Sequence, residues 1–168
     1  MMLSGPEIVR SFLLKKGLQV ELVDLPEESA MTSASAASAL GCTVAEIAKS
    51  IAFTDSPSPP PPANSSVIVV LSGDRRVNTD LLKVKMSWRS ARLMSPSEVL
   101  EATGYRIGGV PPFPHREGIK VMVDMSLKRF PTSWAAAGSA SSVMRITPEL
   151  LTDCMRYVTV DVSGSATK

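Results

Sequence analysis

The sequence predicts an α+β fold, a mixed and mainly antiparallel β-sheet or barrel surrounded by short α-helices. Three observations carry this expectation. Many short segments alternate apolar and polar residues as strands do, short helices with recognisable caps fall between them, and no strict strand–helix–strand repeat runs through the chain.

From Pro6, the apolar residues Ile8, Val9, Phe12 and Leu13 recur at helical spacing, with Lys15 and Lys16 in the last turn and Gly17 as the stop. A first helix over residues 6–16 follows. Leu18 to Val23 alternates well enough for a half-buried strand. Thr32 to Leu40 is rich in Ala and Ser, which suits a helix lying close to other backbone, and Gly41 is a natural terminator. A short helix over Val44 to Ala48, then a strand over residues 50–54, puts Lys49 at a helix-to-strand corner. Residues 55–66 contain four consecutive prolines, which cannot donate ladder hydrogen bonds, so they form a surface loop inserted in a hairpin. A passive spacer is the favoured reading of that loop, with a polyproline ligand as the other.

Val67 to Leu71 resumes as a buried strand. Asn78 caps a helix to Lys85, and Ser95-Pro96-Ser97-Glu98 is a capping box that opens a helix over residues 96–102. Gly104 to Arg116 holds three glycines and three prolines and is an irregular structured loop. Residues 119–124, Trp134 to Ala137, Ser142 to Ile146 and Tyr157 to Val162 read as strands, with a last helix opened by Thr147-Pro148. The expected organisation is one domain over residues 1–162 and a polar tail over 163–168.

Bulk properties narrow the function classes. At 168 residues the chain can bury a sizeable core, and its net charge of +2 is too weak to argue for nucleic acid alone. Two cysteines and one histidine make neither a disulfide scaffold nor a metal cluster, so no cofactor is expected. No secretory signal and no membrane-length apolar run occur, so a cytoplasmic protein is expected, with neither membrane nor DNA as a partner. A P-loop, a Gly-x-Ser-x-Gly elbow and a dinucleotide fingerprint are all absent.

Two features are left that look built for a ligand. Lys49 is either a solvated lysine complementing a helix end or a clamp for a phosphate or carboxyl group. The Gly108-Gly109-Val110-Pro111-Pro112 loop is either a rigid turn or a backbone path that aims N–H groups into a cavity. Asp124 at a strand end reads as a cap or a ligand-positioning acid. Gly73-Asp74-Arg75-Arg76 is a turn with a basic edge, either a phosphate contact or, as is more usual, a solvated corner, and His115 reads as a surface loop residue rather than a base.

Taken in order, these segments resemble the YbaK and prolyl-tRNA synthetase-associated editing domain family. The resemblance runs from Thr32 to about Leu151. It rests on Ala36-Ala37-x-x-Leu40-Gly41, Glu46-Ile47-Ala48-Lys49-Ser50, Leu71-Ser72-Gly73-Asp74-Arg75-Arg76 and Ser95-Pro96-x-Glu98-Val99-Leu100. Thr103-Gly104-Tyr105-x-x-Gly108-Gly109-Val110-Pro111-Pro112, Asp124, Trp134 to Gly138 and Thr147 to Leu151 complete it.

It implies a free-standing deacylase that hydrolyses the ester of a mischarged tRNA, most often tRNA(Pro) carrying a non-cognate amino acid, and that works beside an aminoacyl-tRNA synthetase. The alternative is a non-catalytic module binding charged tRNA or a synthetase. By the resemblance, Lys49, Gly108 and Gly109 are the catalytic set, with Lys49 holding the tRNA's terminal phosphate and the loop donating to the ester carbonyl. Ser50, Val110, Pro111, Asp124, Ala137 and Gly138 would contact the substrate. Met31 stands where many relatives carry a histidine, and Ala137 where some carry a pocket serine.

Overall fold

The computed structural model describes residues 3–165. Helix α1 (Gly5–Lys15) starts where the Ser4 hydroxyl accepts the Glu7 amide and the Glu7 carboxylate accepts the Ser4 amide. Strand β1 (Leu22–Asp24) and a 3-10 turn (Glu27–Ala30) lead to α2 (Ser33–Leu40), capped by Thr32 and ended by Gly41 in the left-handed region. Strands β2 (Ile47–Thr54) and β3 (Ser66–Ser72) form an antiparallel hairpin across the proline-rich segment. Then come β4 (Arg75–Val77), α3 (Thr79–Met86) capped by Asn78, β5 (Arg92–Leu93) and α4 (Pro96–Thr103) capped by the Ser95–Glu98 box. After the irregular loop follow β6 (Lys120–Asp124), β7 (Ser133–Ser139), β8 (Ser142–Ile146), α5 (Pro148–Cys154), β9 (Val158–Val160) and β10 (Ser163–Ser165).

The main sheet runs β1-β8-β7-β2-β3-β6-β9, with β5 attached to β2, and β10 pairs with β4 apart from it. The β1–β8, β8–β7, β2–β3 and β2–β5 ladders are antiparallel, whereas β2–β7, β3–β6 and β6–β9 are parallel. All seven residues of β3 are buried, because alternate side chains enter different cores. Ile68 and Val70 join Val9, Leu13, Ala48 and Ala52 on the α1 face, while Val67, Val69 and Leu71 join Phe53 and Leu82 on the other. The unbroken apolar run of β3 is the sequence mark of this two-sided burial.

Strand β2 positions the cavity. Along the edge away from β3, Ile47 and Ala48 pair with β7, and Phe53 and Thr54 pair with β5. Residues 49–51 are bridged to neither strand, so the sheet forks there and leaves an opening in its middle.

Several expectations need correction. The helix over Val44 to Ala48 is one 3-10 turn (Val44–Glu46), and β2 already begins at Ile47. Pairing of Ile47 with Trp134 and of Ala48 with Ser72 and Ala135 outweighs local helix preference, so Lys49 sits inside a strand and not at a corner. The strand expected from Leu18 starts only at Leu22, where the pairing with β8 begins opposite Met144. Ser163 to Ser165 pair with Arg75 to Val77, so the first half of the expected tail is a strand, and residues 166–168 lie outside the described residues. Among the described residues no helix is long and apolar enough to cross a membrane.

Candidate active site in the fork of the sheet

A cavity of about 340 Å³ fills the fork. Residues 47–52 of β2 line it, flanked by Trp134 to Ala136 of β7 on one side and Leu93 and Met94 on the other. Val99 of α4, Ile107, Gly108 and Val110 of the irregular loop, and Met31 to Ser33 at the start of α2 complete the wall. The cavity takes side chains from both faces of the sheet, as an opening between two strands must.

Lys49 and Ser50 are neighbours on β2 and therefore point to opposite faces. Lys49 shares its face with Ile51 and Phe53, and Ser50 shares the α1 face with Ala48 and Ala52. Burial lowers the Lys49 pKa, the nearby Arg76 lowers it further, and Asp74 opposes both. Asp74 is already engaged: Arg129 holds it with two hydrogen bonds of 2.7 and 3.1 Å, and Arg75 stands 3.8 Å away. Lys49 and Arg76 take part in no ion pair among the described residues. Lys49 in the lining and Arg76 near it thus form a pair of cations without a carboxylate of their own, a local field that favours an anion.

The glycine loop is a tight turn. The Gly109 amide donates to the Arg106 carbonyl at 2.9 Å, and Gly108 has φ +85°, the combination of a type II turn with glycine in its third position. The turn sets Ile107 at its tip, 54% exposed, against the cavity. It also corrects one assignment: the Gly109 N–H is consumed by the turn, so it is not a donor for substrate. The amides of Gly108 and Val110 have no acceptor among the described residues. His115 fixes the loop from behind, with Nε2 2.7 Å from the Pro111 carbonyl and its ring edge-on to Tyr105. It is not the surface residue expected. Burial lowers its pKa to about 4, so the ring is neutral and Nε2–H donates.

The structure thus brings Lys49, Ser50, Gly108 and Val110 to one cavity. Ser50 is part of the lining, and its Oγ is shielded from solvent and unpaired. Pro111 is buried one residue beyond the lining and serves His115. Ala137 is packed in the core on the α1 face. Gly138 lies against α1, where a Cβ would overlap the carbonyl group of Gly5. Asp124 stands at the far end of β6. It is fully buried and accepts from the Ser126 and Val162 amides and the Ser163 hydroxyl at 2.6–3.0 Å, bonds that hold its pKa low against burial. Its role in this structure is to cap the turn after β6 and to tie in β10.

Sequence reasoning misses Met94, Val99 and the start of α2 as cavity residues. The capping box at Ser95 was a signal for Val99, since it fixes which residues of α4 face inward. Strand β5 has two residues and carries no periodicity to read.

Comparison with known proteins places the chain in a family. The model of the aminoacyl-tRNA editing domain family matches residues 27–154. The uncharacterized protein YwhH of Bacillus subtilis (strain 168) is 35% identical over 127 residues, covering 76% of each chain. A solved structure described as a candidate trans-editing enzyme for prolyl tRNA synthetase superposes with a TM-score of 0.84 at 27% identity, over 98% of this chain and 100% of that one. The hypothetical protein APE2540 superposes with a TM-score of 0.80 at 29% identity, over 93% and 99% of the two chains. With three-quarters of its length matched by the family model and a curated relative above 30% identity, the chain belongs to the aminoacyl-tRNA editing domain family.

Proposed function

We propose that this protein is a trans-acting deacylase that hydrolyses the ester of a mischarged tRNA, with tRNA(Pro) carrying a non-cognate amino acid as the preferred substrate. The observation that carries the reading is the cavity in the fork of β2, which a half-buried lysine and a free glycine amide both border. The acceptor end enters with its terminal phosphate toward Lys49 and Arg76. The aminoacyl group passes inward, which sets the ester carbonyl near the Gly108 turn.

An aminoacyl ester is already reactive, so positioning and stabilisation of the developing oxyanion supply most of what is needed. Water adds to the carbonyl carbon, and the negative charge collects on the carbonyl oxygen. The Gly108 amide donates to that oxygen. Collapse breaks the carbon–oxygen bond to the ribose, and the proton lost by water ends on the ribose oxygen, relayed by the neighbouring ribose hydroxyl or the substrate's amino group. His115 takes no part in this transfer, because it lies outside the cavity lining, with Nε2 bound to Pro111 and Nδ1 shielded from solvent. The reaction belongs in the cytoplasm, beside the aminoacyl-tRNA synthetase that makes the error.

The test is a panel of tRNA(Pro) species charged with alanine, serine, cysteine and proline. Release of a non-cognate amino acid with prolyl-tRNA spared supports the reading. Binding of charged tRNA without turnover of any member would replace it with a non-catalytic binding module.

A further inference from the structure

The inner end of the cavity has a chemical character that the hydrolysis itself does not require. Ala48, Ala52, Met94, Val99, Val110 and Ala135 line it, and each is at most 5% exposed. None carries a polar side-chain atom. Of the two hydroxyls on this face of β2, Thr54 lies outside the cavity lining, and Ser50 Oγ is shielded from solvent. The polar and charged lining, Thr32, Ser33 and Lys49, belongs to the more exposed side of the cavity. A phosphodiester chain cannot enter the apolar end, so whatever reaches it is the tip of the aminoacyl group.

Resting on the deacylase reading above, we propose that this cavity selects aminoacyl groups by polarity: it accepts uncharged apolar side chains and rejects polar ones of equal size. Val99 and Val110 are specificity-determining residues for that choice. A hydroxyl pushed among these side chains loses its water and finds no partner, whereas a methyl group in the same place loses nothing. A charged side chain fares worse still. Rejection of an added hydroxyl by an apolar wall has a known ceiling, on the order of 100-fold, so the expected discrimination is about 10- to 100-fold in kcat/KM.

The matched pair for the test is 2-aminobutyrate and serine, which differ only in a terminal methyl against a hydroxyl. Both are attached to the same tRNA(Pro), and deacylation by the full-length protein is followed at limiting substrate. The expected result is clearance of the 2-aminobutyryl ester about 10- to 100-fold faster than the seryl ester. In Val99→Thr and Val110→Thr, which keep the shape of the wall and add a hydroxyl, that ratio shrinks, mainly through faster seryl clearance.

Melting curves show whether each variant is folded, and the two variants serve as independent probes of the wall. Equal or faster clearance of the seryl ester by the unmodified protein overturns the selection while leaving the deacylase reading intact. An unchanged ratio in both folded variants overturns the assignment to Val99 and Val110. If neither ester is cleared, nor any other non-cognate ester, the deacylase reading itself falls and this inference with it.

Discussion

Lys49 shows how a strand decides the use of a side chain. A lysine at a helix end is an ordinary solvated residue, but inside β2 it shares the face of Ile51 and its charge feels that of Arg76. Burial and a neighbouring cation both act against its charge, so the folded protein gains little from it. An anion between Lys49 and Arg76 reverses that balance. Lys49→Ala therefore costs deacylation far more than it costs folding. The loss of one charge-assisted contact is worth about 1.5–3 kcal/mol, or roughly 10- to 100-fold in kcat/KM. The melting temperature should move by only a few degrees, corresponding to about 0.5–1 kcal/mol. Parallel kinetics and calorimetry check this, and a variant that melts far lower with unchanged specific activity would make Lys49 a structural residue.

At the scale of elements, α1 is docked through a backbone contact and not through side chains alone. Gly138 has φ +103° and lies directly against the Gly5 carbonyl and the Pro6 nitrogen. A side chain there is strained twice, by its own backbone and by the helix it pushes away. Gly138→Ala is expected to destabilise the fold by roughly 2–4 kcal/mol, read as a lowered urea midpoint, and to do so without touching the cavity lining. An unchanged midpoint would mean that α1 is loosely held. The same contrast between local and distant causes explains what the sequence revealed about elements. Ser95 with Glu98, Asn78, Thr32 and Gly41 are local signals, and each marks a real helix end. The proline run could only be a loop, and it is the connection of the β2–β3 hairpin. Lys49 was misplaced because β2 is defined by strands about 20 and 85 residues away, whose pull no local window contains.

For the molecule as a whole, the candidate site was legible as a set of motifs and not as a shape. Lys49 and the Gly108 turn meet because the sheet forks, and the fork exists because a two-residue strand, β5, takes one end of β2 from β7. That arrangement leaves no trace in composition or spacing, whereas the glycine and lysine motifs do.

The same distant packing makes the whole fold sensitive to acid, through groups that sequence reasoning placed on the surface or read only as a cap. His115 is held neutral, with a pKa of about 4 in the folded chain against an ordinary 6.5. Between those values the unfolded chain binds a proton that the folded chain refuses, so stability falls as pH falls from 6.5 to 4, by at most about 3 kcal/mol. Glu98 continues the trend: the Arg92 guanidinium, bonded to both carboxylate oxygens at 2.9 Å, holds its pKa at about 2 against the ordinary 4.5. Its contribution is complete above pH 4.5 and is lost as pH falls toward 2. Two successive windows of acid destabilisation are therefore expected, separated at about pH 4. In His115→Gln, whose amide can still donate to Pro111, urea midpoints should stay level between pH 6.5 and 4.5 while the lower window remains. Midpoints of the unmodified protein that do not change over that upper range would show a solvated ring, and the loop carrying Gly108 would then lack the support that keeps its turn in place.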